Sequence, residues 1–453
     1  MLEKLFVKDK EFYRPVIQIS IPIILQNVIT IGVNMMDTIM LGKYGEVQLS
    51  ASSLANDFIN IFQILCMGMG CGAAVLTAQY WGSRDIVSLK KTVSIMLRFM
   101  FSIAAVLTCA VLFFAPQIMT VYTNEADVIS KGALYFYWSL PTFFLMGISL
   151  TLTQVLRSIG TVKIPLRSSI ISFFVNIFFN WVFIFGNFGM PEMQIAGAAL
   201  GTVIARVVET LIIGGHFFFM DEKIRFRIRD IFMPAGDITA KYFKYSVPVM
   251  ASDSLLAFGN TAVSIIIGHM GTAFTAAYAI VAVIQRFSTV FTSGIGMASS
   301  TITGNRIGEG KKEQAYHEAI TLITIAALIG ILAGVFIRLC GPMISGFYDI
   351  QPETAAITDQ MISAVSLMIV FQSMQSVLTK GVLRGGGDTK FCMMVDAVFL
   401  WIVSVPLGYY TGLVLHLDAF IVFLSLKADW MIKSVLGTLR VLSGKWIRNL
   451  NEE

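Results

Sequence analysis

The chain is divided into apolar runs of about 20 residues, each long enough as a helix to cross roughly 30 Å of hydrocarbon, and few architectures accept that pattern. Twelve such runs can be marked, over 16–40, 53–80, 93–115, 132–155, 165–186, 194–218, 246–268, 275–304, 316–340, 358–381, 391–412 and 415–438. Charged residues make up only 13% of the chain, against about 25% in soluble domains. Too few polar groups remain to cover a water-facing surface. The expectation is an all-α integral membrane protein with twelve transmembrane helices, its partner a lipid bilayer.

The net charge of +5 is explained by where the charges fall. With the N-terminus inside, one face collects Lys90, Lys91, Arg157, Lys163, Arg167, Lys223, Arg225, Arg227, Arg229, Lys311 and Lys312. Loops on the other face hold only Lys43 and Lys131, among acids such as Glu125, Asp127, Glu192 and Glu353. The positive-inside rule then places both termini in the cytoplasm of a multi-pass protein of the cell (inner) membrane. The basic excess sets orientation and calls for no nucleic acid. No small-residue cleavage site follows the first apolar run, which reads as a retained helix. The five cysteines lie in or beside apolar spans without metal-type spacing and read as small hydrophobes.

Sliding the second half over the first brings Ser20 onto Ser246, Pro22 onto Pro248, Asn34 onto Asn260 and Gly42 onto Gly268, 226 positions on, without a gap. The same register matches Gly68 with Gly294, Thr77 with Thr303 and Gly82 with Gly308. One residue later in register, Leu156–Lys163 meets Leu383–Lys390. An internal repeat of this length implies two six-helix lobes. Six crossings per copy insert both copies the same way, so the repeat is parallel. The lobes are expected over 1–220 and 246–453, joined by a charged cytoplasmic linker at 221–245. A proline inside a helix removes a hydrogen bond at about 3 kcal/mol, so the matched Pro22 and Pro248 are candidates for hinges or for packing kinks.

Ionisable groups inside apolar spans are functional candidates because their insertion costs about 2.5–3.5 kcal/mol. Here they are Asp37, Asp57, Arg206, Glu209, Asp253, Arg286, Asp396, Lys427 and Asp429. Arg206 and Glu209 can pair along one helix, and Lys427, Asp429 and Lys433 can pair or snorkel. Asp37 is harder to dismiss, lying in an unbroken apolar run with Asn34 three residues before it. A carboxylate there needs a proton or a cation for company. Asn176 and Asn180 share one face of the fifth helix, where amide oxygens can ligand a hard cation or meet a protonated carboxyl. The alternative is interhelical glue.

The chain resembles the multidrug and toxic compound extrusion (MATE) family over nearly its whole length. The resemblance rests on Met36–Gly42 in helix 1, Leu76–Gly82 closing helix 2, Ala196–Thr202 in helix 6 and Gly381–Lys390 after helix 10. It implies two lobes around a cavity and export of small organic compounds driven by inward Na⁺ or H⁺. It further implies a cation site in the first lobe at Asp37, Asn176, Asn180 and Thr202, with Na⁺ as a potential coupling ion and no cofactor. The position of Asn180 is often Asp in that branch. Asn34, Asp253 and Asp396 are secondary candidates. The family's other branch uses a Glu in helix 7 and an Asp in helix 10, where this chain has Ser373.

The function expected is a monomeric secondary antiporter of amphipathic, cationic organic compounds. The alternative is a lipid-linked oligosaccharide flippase of the same superfamily, a type with a basic cavity, whereas the first half shows no obvious buried Arg cluster. No phosphate loop points to a primary pump, and the four scattered histidines form no catalytic motif. Asp37 aligns with Val263, and Asn176 and Asn180 with Val403 and Leu407. The scaffold is duplicated, and the coupling chemistry is expected in the first copy alone.

Overall fold

Apolar runs become helices in lipid because each backbone N–H and C=O must find its partner within the segment. In the computed structural model, which describes residues 7, 9–345 and 351–450, helices dominate and no strand occurs among the described residues. They are α1 (Lys10–Gly42), α2 (Glu46–Gly82), α3 (Ile86–Thr120), α4 (Ala126–Ser158), α5 (Lys163–Phe185) and α6 (Gln194–Gly215). The second copy supplies α7 (Gly236–His269), α8 (Thr272–Gly308), α9 (Lys312–Ser345), α10 (Pro352–Gly385) and α11 (Thr389–Val414). The last span is broken into α12 (Ala419–Leu426) and α13 (Ala428–Leu442). Eleven unbroken helices among the described residues are long and apolar enough to cross a membrane.

The repeat is visible in the helix boundaries. Glu46 and Thr272 open α2 and α8, and Gly82 and Gly308 close them. Ile86 and Lys312 open α3 and α9. Local chemistry sets these ends. Asp85 accepts the Ser88 N–H at 3.0 Å and caps α3, and Gly186 closes α5 in the left-handed region at φ 69°. Pro22 and Pro248 both lie inside their helices, α1 and α7. A kink appears elsewhere, at Phe114, two residues before Pro116 in α3.

The helices sort into two compact units. One comprises Leu25–Thr77 and Asp85–Met250. Its core includes Phe62 and Phe143 edge to face, with ring centroids 5.4 Å apart. The segment 221–235 belongs to this unit and is pinned to α3: Lys90 meets Asp230 at 2.9 Å, and Ser94 donates to Ile231 O at 2.7 Å. The other unit comprises Met1–Ile24, Ala78–Arg84 and Ala251–Glu453. Val281, Met361, Val365 and Phe423 form its buried centre. In it, the end of α2 touches the end of α8: a Cβ at Gly82 would strike the Asn305 backbone, and one at Gly308 the Gln79 backbone. Gln79, fully buried, donates to Gly385 O (3.2 Å) and Arg448 O (3.1 Å) and accepts from Leu450 N–H (2.9 Å).

Candidate functional site

In the first unit, α1, α5 and α6 bring the four predicted cation-site residues together. The 3.6-residue period puts Asn176 and Asn180 one above the other on α5, and both are buried. Asn180 Nδ2 donates to Asp37 Oδ1 at 2.5 Å and to Asn176 Oδ1 at 3.2 Å. Asn176 Nδ2 in turn donates to Thr202 Oγ1 at 3.4 Å. The chain of amides therefore runs from the half-buried carboxylate of Asp37 to α6. Gly201 makes this possible, because any Cβ there would fall on Oδ1 of Asn180. That oxygen is buried and has no hydrogen-bond partner among the described residues.

Beside this cluster lies a cavity of about 170 Å³ whose wall includes Asn34, Asn176 and Thr202. Asn34 is exposed there and makes no side-chain bond to Asp37. Arg206 and Glu209 line the same cavity as an ion pair at 2.6 Å, as their spacing predicts. Arg157, expected on the basic loop face, instead ends α4 buried on the cavity wall, its guanidinium donating to Gln26 Oε1 at 2.6 Å. Two arginines on this wall were not legible as a cluster, because 49 residues of sequence separate them. Tyr135 was also missed. It is buried and donates to Asn56 Oδ1 at 3.3 Å, with Thr202 and Asp37 close by. No motif marks it.

The secondary candidates Asp253 and Asp396 belong to the second unit and to one buried ionic cluster. Arg384 binds Asp253 at 2.7 Å and lies 3.9 Å from Asp396. Ser252 donates to Asp396 at 2.7 Å. Lys433, fully buried, sits 2.8 Å from Asp429 and 3.4 Å from Asp396. Lys433 therefore pairs, and does not snorkel. Ser373, at the helix-10 position, spends its hydroxyl on Ala326 O at 2.7 Å. Asp57 is exposed.

A family model described as MatE matches the chain twice, over residues 22–182 and 248–410. The chain is similar to a probable multidrug resistance protein NorM of Thermotoga maritima, 23% identical over 437 residues that span 96% of this chain and 93% of that one. It is 24% identical over 417 residues to the uncharacterized transporter YisQ of Bacillus subtilis, covering 91% and 90% of the two. Among solved structures, an outward-facing multidrug resistance MATE family transporter of the MOP superfamily matches with a TM-score of 0.86 at 18% identity, over 97% of this chain and 99% of that one. A MOP superfamily transporter from Pyrococcus furiosus, described as having a binding pocket of reverse polarity that suggests a different function, matches with a TM-score of 0.85 at 18% identity, over the same shares.

Proposed function

Because this chain belongs to the MatE family of multi-pass membrane transporters, we propose that it is a secondary antiporter exporting amphipathic, cationic organic compounds in exchange for an inward-moving cation carried by Asp37. Relatives named as multidrug resistance proteins along most of the chain support the substrate class. The cavity also suits an amphipath, combining Val33, Met67 and Phe173 with the amides of Gln26, Asn27 and Gln154. The reading includes the cell membrane as its location, with both termini cytoplasmic on the loop-charge asymmetry, and a single chain as the working unit.

The observation that carries it is the bond from Asn180 to Asp37 at the edge of that cavity. Within this cluster the carboxylate has neutral partners, so a bound cation changes its net charge, and the cost of burying that charge changes with it. An amide suits both states. Its NH₂ donates to a carboxylate, and turned over, its oxygen accepts from a carboxylic acid. One carboxylate is enough for a proton, while Na⁺ is better served by several oxygen anions, so H⁺ is the favoured ion and Na⁺ the alternative. Arg157 and Arg206 on the wall favour a second reading, the lipid-linked oligosaccharide flippase. Arg206 is neutralised by Glu209, which leaves export the stronger one.

The test is uptake of a cationic dye into everted vesicles under an imposed pH or Na⁺ gradient. Asp37→Asn should abolish gradient-driven uptake, and full activity in that variant would sink the assignment. Running the assay at fixed pH with and without Na⁺ identifies the ion.

A further inference from the structure

The break in the last membrane span is the feature that transport by Asp37 leaves unused. Nothing in Ala419–Leu442 calls for a helix stop, yet Lys427 leaves helical geometry at φ −117°, ψ 14°. The break is built in, since the N–H of Asp429 it frees is accepted by Ser404 Oγ at 2.8 Å. Two further irregular segments flank the place: π-helical turns at Ser376–Val382 in α10 and Phe399–Ser404 in α11. Such turns are frequent at functional sites.

Together these segments border a cavity of about 280 Å³ inside the second unit. Lys427 and Lys380 line it with Trp430, Gln285, Gln372 and Gln375. The other buried basic groups nearby have carboxylates, Arg384 having Asp253 and Lys433 having Asp429, and the half-buried Arg440 and Arg448 share Asp388. Lys427 is 5% exposed and forms no ion pair among the described residues. Its ammonium lies 5.1 Å from the centre of the Trp430 ring. A buried charge without a counter-charge is costly, and a cation–π contact offsets only about 2 kcal/mol of that cost. Gln372 also presents a buried amide oxygen with no partner among the described residues, an acceptor open to an N–H or O–H on the body of a ligand. Counting Lys380, Arg384, Lys427 and Lys433 against Asp253, Asp396 and Asp429, the surroundings carry one surplus positive charge.

We propose that this cavity is a second binding site, taking the anionic group of an organic solute, a carboxylate or phosphate, on Lys427 with its aromatic body against Trp430. Lys380, exposed at the same cavity, adds a second positive charge, and the glutamines supply hydrogen bonds. The site is independent of Asp37 and extends the ligand range to acidic and zwitterionic compounds.

The experiment uses the full-length protein in phosphatidylcholine nanodiscs and two probes with one fluorophore, dansylglycine (anionic) and dansylcadaverine (cationic). Dansylglycine should bind the wild type, and Lys427→Gln should weaken it at least about tenfold, which is about 1.4 kcal/mol. Lys427→Arg should retain binding, and Asp37→Asn should leave it intact, which separates this site from the coupling site. Dansylcadaverine binding and the gel-filtration profile of Lys427→Gln report folding. Displacement by inorganic phosphate marks a site for soluble anions, and displacement only by phosphatidylglycerol marks a lipid headgroup site. Equal dansylglycine affinity in wild type and Lys427→Gln, or no binding to the wild type, overturns the proposal.

Discussion

Replacing Gly201 by alanine tests whether the proposed cation site depends on the close approach of α5 and α6. The added methyl would overlap Oδ1 of Asn180 and lie 3.0 Å from its backbone nitrogen. The side chain can rotate away, but the nitrogen cannot, so the two helices must separate by a few tenths of an ångström. Overpacking of this kind costs about 1–3 kcal/mol. Rotation of Asn180 also gives up its bond to Asp37, and hydrogen bonds to charged groups are worth about 1.5–3 kcal/mol. If transport uses that bond, gradient-driven uptake should fall by about 10- to 150-fold, at about 1.4 kcal/mol per decade. The control is Gly215→Ala at the end of the same helix, where a Cβ meets nothing within 4 Å. It should be neutral or slightly stabilising. Both variants would be assayed in everted vesicles and by thermal denaturation in detergent. Equal transport and equal melting in the two would refute the reasoning.

Gln79→Leu should lower the melting temperature through a loss of at least about 2 kcal/mol, since it removes the amide that serves the Gly385 and Arg448 carbonyls and the Leu450 N–H. An unchanged melting curve would contradict that. Lys433→Met should destabilise by about 3–5 kcal/mol, because Asp429 and Asp396 lose their buried cation; denaturation in detergent reads this directly. For the 221–235 segment, burial opposes the charge of Asp230, but Lys90 and the Arg227 N–H hold its carboxyl below the usual range. Its stabilisation is therefore complete above the unfolded value near 3.9 and is lost as pH falls through the lower folded value. The stability gap between wild type and Lys90→Met at neutral pH should narrow on acidification, the part due to the Lys90 bond to Arg225 O remaining, as followed by melting at several pH values.

The architecture was legible because helices and repeats leave periodic marks. A register of 226 residues carried from Pro22 to Gly82 is reproduced in the ends of α2 and α8. The site was legible in part. Asp37 stands out as a carboxylate in an apolar run, and the α5 asparagines by their spacing. Thr202 came only from the resemblance, while Gly201 beside it gave no sign that it lets Asn180 in. The break at Lys427 left no trace, since its support is the hydroxyl of Ser404, 23 residues earlier in the chain. The burial of Arg157 was equally silent, because a basic residue near a helix end reads as a loop charge until the cavity is seen. Two of the motifs behind the resemblance, Leu76–Gly82 and Gly381–Lys390, meet around Gln79 and Gly385. They hold the scaffold, and the proposed coupling site lies elsewhere.

The bonds of Gln79 also bear on how the protein is made. Residues 78–84 leave the ribosome early, yet their partners Gly385 and Leu450 follow 306 and 371 residues later. Until then the Gln79 side chain lacks these two partners and Arg448, and water, lipid headgroups or an insertion chaperone must serve its amide. Helix insertion can proceed in chain order, but this set of bonds is complete only once Leu450 has emerged. Completion of the set is thus a late event in biogenesis, and a product stalled before that point would display an unpaired glutamine amide for quality control to detect.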